Sequence, residues 1–229
     1  IDSYLCSDGL PVSVSPQYQG DDGIENVMAN RDPRIYDTFV SDELRINGIV
    51  SNYSTTGYAS HKFLNESIKD ENIASGANNP TDAPIIRYGE VLINYAEACA
   101  ELGELTQEDL DKSINQLRSR GSNPLPDLQI IGGQPAVNGQ VYDDPERDPE
   151  VPPMIWEIRR ERRVELVFEG FRLGDLKRWK KLEYTDTKEN KDINRGAYIH
   201  KEDWPGMRNV HIEGGADEGY IMPAYEEET

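Results

Sequence analysis

The chain's 229 residues allow one large domain or two small ones, enough to bury a core. With 43 acidic residues against 24 basic its formal net charge is −19, and the negative surface potential that follows disfavours DNA, RNA and anionic lipid as partners. The 36% hydrophobic content and 19 glycines are ordinary for a folding protein, and no run approaches the ~20 apolar residues of a membrane span.

The first ten residues, "IDSYLCSDGL", lack the charged region and apolar core of a signal peptide. Cys6 and Cys99 stand far apart without CxxC or Cys/His spacing, so neither a disulfide framework nor a zinc site is expected, and Cys99 reads as a buried thiol. Residues 1–83 are rich in Gly, Pro, Asn, Asp, Ser and Tyr, and within them "RIYDTFV" (34–40) and "LRINGIV" (44–50) alternate as short strands would. From Pro84 the pattern changes. Ile85, Tyr88, Leu92, Tyr95, Cys99 and Leu102 recur at spacings of three and four, with Arg87, Glu90, Asn94, Glu97, Glu101 and Glu104 on another face. That predicts an amphipathic helix opened by Pro84 and stopped near Gly103. Thr106 and Asp109 resemble a capping pair, Leu110, Ile114 and Leu117 carry the next apolar stripe, and Gly121 closes it, so 84–120 reads as a hairpin of two helices. An irregular connection rich in Pro, Gly and Asp is expected over 121–153 and a second helical pair over about 153–182 with a break near Gly170. The tail, 183–229, reads as loops ending in a solvated "EEE" run.

Half of the 24 residues from Trp156 to Trp179 are charged, seven basic and five acidic. At 100° per residue Trp156, Val164, Val167 and Phe168 gather on one side, and Ile155, Ile158 and Leu166 on nearly the opposite side. Two apolar faces mean two neighbours. Arg162, inside the second apolar group, should therefore be partnered, with Glu165 in reach, and Glu157 with Arg160 offers a similar pair. Arg160, Arg162, Glu157 and Glu165 are thus expected to form a structural ion-pair network; an anion-binding patch and a catalytic cluster are the other readings of the same charges.

The segments "IRYGEVLINYAEACAELGE" (86–104), "INQLRSRG" (114–121) and "IRRERRVELVFEGFRLGDLKRW" (158–179) resemble the signature segments of the SusD/RagB family, nutrient-binding lipoproteins of glycan uptake systems. "DGLPVSVSPQYQG" (8–20), "NRDPRIYDTFV" (30–40) and "TTGYASHKF" (55–63) match in the same order, so the resemblance covers nearly the whole chain. It implies a mainly α fold of tetratricopeptide-like helical hairpins with long irregular loops and a few short strands. It also implies a surface-exposed outer-membrane protein that binds oligosaccharide and acts as the lid and partner of a TonB-dependent β-barrel transporter of the SusC type. Family members are roughly twice this length, so residues 1–229 are expected to form a C-terminal domain without the family's N-terminal half or its final segment. The lipid anchor then lies outside the chain, and Cys6 is not the lipid-bearing cysteine.

A sugar site needs exposed aromatic platforms ringed by polar side chains. Tyr18, Tyr53, Tyr58, Tyr198 and Trp204 lie in loop-like sequence beside such residues, as in "INRGAYIHKEDWPG", and are the candidate ligand contacts. Tyr18 leads, because glycan contacts in the resembled family come partly from the region just before "NRDPR". No cofactor or metal is expected: "DGL" and "DDPERDPE" lack the ligand spacing of a calcium loop, and His61, His200 and His211 have no nucleophile in recognisable context. Two other functions stay open, a glycoside hydrolase using a carboxylate pair and a purely protein-binding helical adaptor. The glycan, or a peptide in its place, is not specified by these residues.

Overall fold

The structure, a computed structural model, describes residues 1–46, 54–65, 67–68, 71, 79–82, 84–205 and 210–222. Two short helices come first, α1 (Ile24–Met28) and α2 (Arg34–Thr38). The second falls where alternation in "RIYDTFV" predicts a strand. Asp32 and Pro33 decide otherwise, since Pro33 sits at φ −58° and Asp32 accepts the backbone N–H of Arg34, which starts a helical turn. Of "LRINGIV", residues 44–46 are described and Ile46 forms an isolated bridge to Ser54; 47–50 lie outside the described residues.

The longest helix among the described residues, α3 (Tyr88–Glu101), begins four residues after Pro84, because Arg87 remains extended. It stops as expected before Gly103, which takes the left-handed φ of +72° that favours glycine. Its buried face shares only Leu92 with the expected stripe. Leu92, Ile93, Ala96 and Glu97 point inward, whereas Ile85, Tyr88, Tyr95 and Leu102 are exposed, Ile85 at 92%. Cys99 is only half-buried; the fully buried thiol is Cys6. The capping box at Thr106 and Asp109 opens α4 (Gln107–Asp111), and a break at Ser113 separates it from α5 (Ile114–Arg118). Leu110, Ile114 and Leu117 are buried along both.

The connection 121–153 contains an antiparallel sheet of β1 (Gln129–Ile131), β2 (Gln134–Val137) and β3 (Gln140–Val141) in that order. Its turns are Gly132-Gly133 and Asn138-Gly139, all four at positive φ, as two-residue hairpins require. Next, α6 (Pro153–Glu165) and α7 (Arg172–Arg178) flank a turn containing Gly170. The tail is also more than loop. It pairs β4 (Tyr198–His200), β5 (His211–Ile212) and β6 (Glu218–Met222) in the order β4-β6-β5. The "EEE" run lies outside the described residues.

Helix α6 separates two apolar clusters. Met154 and Ile158, with Leu166 just beyond its end, join Leu92, Ile93, Ala96, Leu110, Ile114, Leu117 and Leu128. Val164 meets Tyr4, Met28, Ile35 and Phe39. Between them runs an acidic stripe, Glu157, Glu161 and Glu165, spaced one turn apart and all buried. Glu165 accepts hydrogen bonds from Arg87 Nη1 at 3.0 Å, Arg34 Nη1 at 3.3 Å and Arg120; Glu161 meets Arg34 at 2.5 Å and Arg118 at 3.3 Å. Helix α3 comes so close that a Cβ on Gly89 would lie 2.8 Å from Glu165 Oε1. Arg162 is 5% exposed, but its partners are Asp175 at 2.7 Å and Asn94 at 2.7 Å, not Glu165. Glu165 is already claimed by three arginines from α2, the start of α3 and the end of α5, so the expected Arg162–Glu165 pair does not form. Arg160 reaches Glu157 at 3.1 Å and also contacts Asp144.

Candidate functional site

Strand β4 carries Tyr198 and His200 on one face, since residues two apart in a strand point the same way. Its neighbour β6 places Tyr220 opposite Tyr198 and Glu218 opposite His200. The rings of Tyr198 and Tyr220 meet edge to face, with centroids 5.2 Å apart and planes at 89°, and the His200 ring lies 5.6 Å from Tyr198. The loop before α1 completes the surface. Asp22 forms a parallel bridge with Tyr198, which fixes the loop against the outer edge of β4, and His200 Nε2 lies 2.9 Å from Asp22 Oδ1. Asp21 then accepts from two phenols at once, Tyr18 on one carboxylate oxygen and Tyr220 on the other.

Two cations back the rings. The Arg195 guanidinium carbon sits 4.3 Å from the Tyr220 ring centroid, and that of Arg31 5.4 Å from Tyr18. Burial and Asp21 push the Tyr220 phenol up to about 12, and the same two causes raise Tyr18 further, so both stay protonated donors at neutral pH. The hydrogen bond to Asp22, reinforced by Glu218 at 3.0 Å from Nδ1, raises the His200 imidazole above its usual value. The result is a half-buried tyrosine surface rimmed by Asp22, His200 and Glu218, whose side chains stay open to solvent. Apolar ring faces beside exposed donors and acceptors suit a ligand that shows C–H on one side and hydroxyls at its edge.

Of the residues singled out in sequence, Tyr18 and Tyr198 belong to this patch. Tyr58 and Trp204 do not share it in the same way: both are half-buried and pack on the cluster of Leu44, Ile46, Ala197, Ile199, Ile212 and Ile221. Tyr53 lies outside the described residues. Tyr220, Asp21 and Arg195 escaped the sequence reading; the available signal was the tyrosine in "EGYIM", whose partner across the sheet becomes visible only once the register is known.

A cavity of about 540 Å³ lies elsewhere. It is lined by Phe63, Ile85, Phe168 and Phe171 with Arg87 and Glu169. There the guanidinium of Arg87 is spent on Glu165 and Glu169, and Lys62 also binds Glu169 at 2.8 Å, so its central charges hold the scaffold together rather than face a ligand. The tyrosine patch is for that reason the stronger candidate for a hydroxyl-rich ligand. Among the described residues no group of His, Cys, Asp and Glu is placed to hold a metal ion. Asp144 of the "DDPERDPE" run bonds Ser13, Trp156 and Arg160, and Asp143 bonds Arg147.

Residues 1–223 match the family model described as the SusD family. No curated protein matches the chain. Among solved structures, a SusD-like protein (BF3747) from Bacteroides fragilis NCTC 9343 superposes with a TM-score of 0.55 at 24% identity, covering 96% of this chain and 39% of that one. The protein BT4246 gives 0.54 at 22% identity, covering 79% and 33%, and its selenomethionine form 0.57 at 18% identity, covering 96% and 39%. The likeness at these identities is one of fold, and the chain spans about two-fifths or less of each solved structure's length.

Proposed function

This chain belongs to the SusD family, and on that premise we propose that it captures an oligosaccharide at the outer cell surface and hands it, chemically unchanged, to a TonB-dependent β-barrel transporter. The proposed attachment to the membrane is by a lipid anchor; none of the described helices is long and apolar enough to cross a membrane. The observation that carries the ligand assignment is the convergence of Tyr18 and Tyr220 on Asp21, with Tyr198 packed on Tyr220. Tying both phenols to one carboxylate fixes the rings before a ligand arrives, which lowers the ordering cost of binding.

Each ring stacked on a sugar contributes on the order of 1 kcal/mol, so two or three rings together with hydrogen bonds from the Asp22, His200 and Glu218 rim support an affinity of roughly micromolar to millimolar, suited to a carrier that must release its cargo. Calorimetric titration with a panel of neutral oligosaccharides checks this. At least one glycan should bind saturably, and Tyr198→Ala, on an edge strand and half-buried, should weaken it by about fivefold with the unfolding midpoint little changed. Release of reducing ends by the purified protein would favour a hydrolase instead, and tight binding of a peptide with no heat from any glycan would favour an adaptor.

A further inference from the structure

Four of the seven cations between Trp156 and Trp179 have carboxylate partners: Arg160 on Glu157, Arg162 on Asp175, Arg178 on Glu97 and Asp175, and Arg159 on Glu101 at 3.3 Å. Arg163 and Arg172 have neither a hydrogen bond nor an ion pair among the described residues, and Lys177 is simply exposed. That is unexpected in a chain of net charge −19, where carboxylates are plentiful. The two unpaired arginines come from α6 and from the start of α7, and they meet at a cavity of about 50 Å³ whose other walls include Ser3, Trp156, Arg159 and Trp179.

Three features make this a formed site rather than a chance gathering. Arg159 and Arg172 both lie against the Trp179 ring, at 4.5 and 5.6 Å from its centroid, which fixes the planes of their guanidinium groups. The Nε of Arg159 is buried with no hydrogen-bond partner, an unmet donor of the kind that proteins seldom leave. Burial and the mutual repulsion of Arg172 with Arg163 lower the Arg172 guanidinium to about 10, which Asp175 only partly offsets, and Arg163, exposed at the rim, has Asp2 as its nearest opposing charge, so the field in the cavity is positive on balance. Guanidinium forks match oxygens held by one central atom, and the volume suits one such head group rather than a sugar ring. We propose that this cavity between α6 and α7 binds a single oxyanion, a carboxylate or sulfate, present as a free ion or as the acidic substituent of a sugar. A polyanion is disfavoured there by the negative charge of the rest of the molecule.

Titrations at constant ionic strength with sodium sulfate, sodium glucuronate and glucose separate the sources. Sulfate or glucuronate should bind saturably and raise the unfolding temperature, while glucose does neither through this cavity. Sulfate binding alone identifies a free-ion site; tighter glucuronate identifies an acidic-sugar site; both support the assignment. Arg163→Gln and Arg172→Gln should each weaken the oxyanion by about tenfold, as expected for losing one charge-assisted contact, with Lys177→Gln as the control that leaves it unchanged. Neutral glycan affinity at the tyrosine patch should be the same in all three variants, so the two sites fail or succeed separately. No saturable binding of either oxyanion, or an equal loss in Lys177→Gln, would overturn the proposal.

Discussion

At the scale of single residues, Glu165 is a buried carboxylate shared by three arginines. Burial alone would raise its carboxyl, but Arg120, Arg34 and Arg87 together hold it below the ordinary value of 4.5. A carboxyl with a depressed folded-state pKa stabilises the protein above its unfolded pKa, and that stability is lost as pH falls through the folded value. Glu165→Gln should therefore cost about 1.5–3 kcal/mol in urea unfolding at pH 7, the worth of a buried charged acceptor, since Arg34 keeps Asp32 and Glu161 and Arg87 keeps Glu169, and the variant's stability should change less than the wild type's as pH drops below about 4.5. A loss under about 0.5 kcal/mol would mean that the arginines find water or other acceptors. The need to bury and partner Arg162 was legible from the two apolar faces of its helix. Its partner was not, because three-residue spacing says which side chains are near and not which have been taken by arginines distant in sequence, Arg34 among them at 131 residues' separation.

At the scale of elements, apolar spacing located the helical segments between 84 and 182 but not α1 or α2, and it misjudged the face of α3. Val91, Ile93, Ala96, Ala98 and Ala100 are apolar besides the expected stripe, so more than one stripe fits the period and the neighbours choose. Packing against Ile114 and Ile158 selected Leu92, Ile93 and Ala96. Both small sheets were missed, although Gly132-Gly133 and Asn138-Gly139 are strong hairpin signals; the surrounding Pro and Asp masked them. Two glycines test the elements in opposite directions. A Cβ on Gly196 would lie 2.6 Å from the Thr56 carbonyl oxygen and 2.9 Å from Ile221 Cβ, so Gly196→Ala should force the entry to β4 away from β6 and cost roughly 1–3 kcal/mol. On Gly174, inside α7, it would meet nothing within 4 Å, so Gly174→Ala should stabilise by about 0.5–1 kcal/mol. Thermal unfolding of the pair checks both signs, and a shift of the same sign in the two variants would contradict the packing described.

At the scale of the whole molecule, the helices carry the ion-paired scaffold and the second sheet carries the proposed recognition surface. Helices α3 to α7 bury an apolar core and a ladder of ion pairs, which fixes their positions but leaves few charges at the 540 Å³ cavity to receive a ligand. The sheet β4-β6-β5 and the loop ahead of α1 display the tyrosines. Family membership was readable in the order of the motifs; of the proposed patch, Tyr18 and Tyr198 were candidates from sequence, although Tyr198 lies in a strand rather than a loop, and Tyr220 emerged only from strand register. The most direct measurement is nuclear magnetic resonance of the protein with isotope-labelled tyrosine and phenylalanine rings, followed through a titration with the best-binding neutral oligosaccharide. The account predicts saturable shifts of the Tyr18, Tyr198 and Tyr220 ring signals, with buried Tyr4 and Tyr142 unmoved. Shifts confined to Phe63 and Phe168, with the three tyrosines silent, would place the ligand in the other cavity and contradict it.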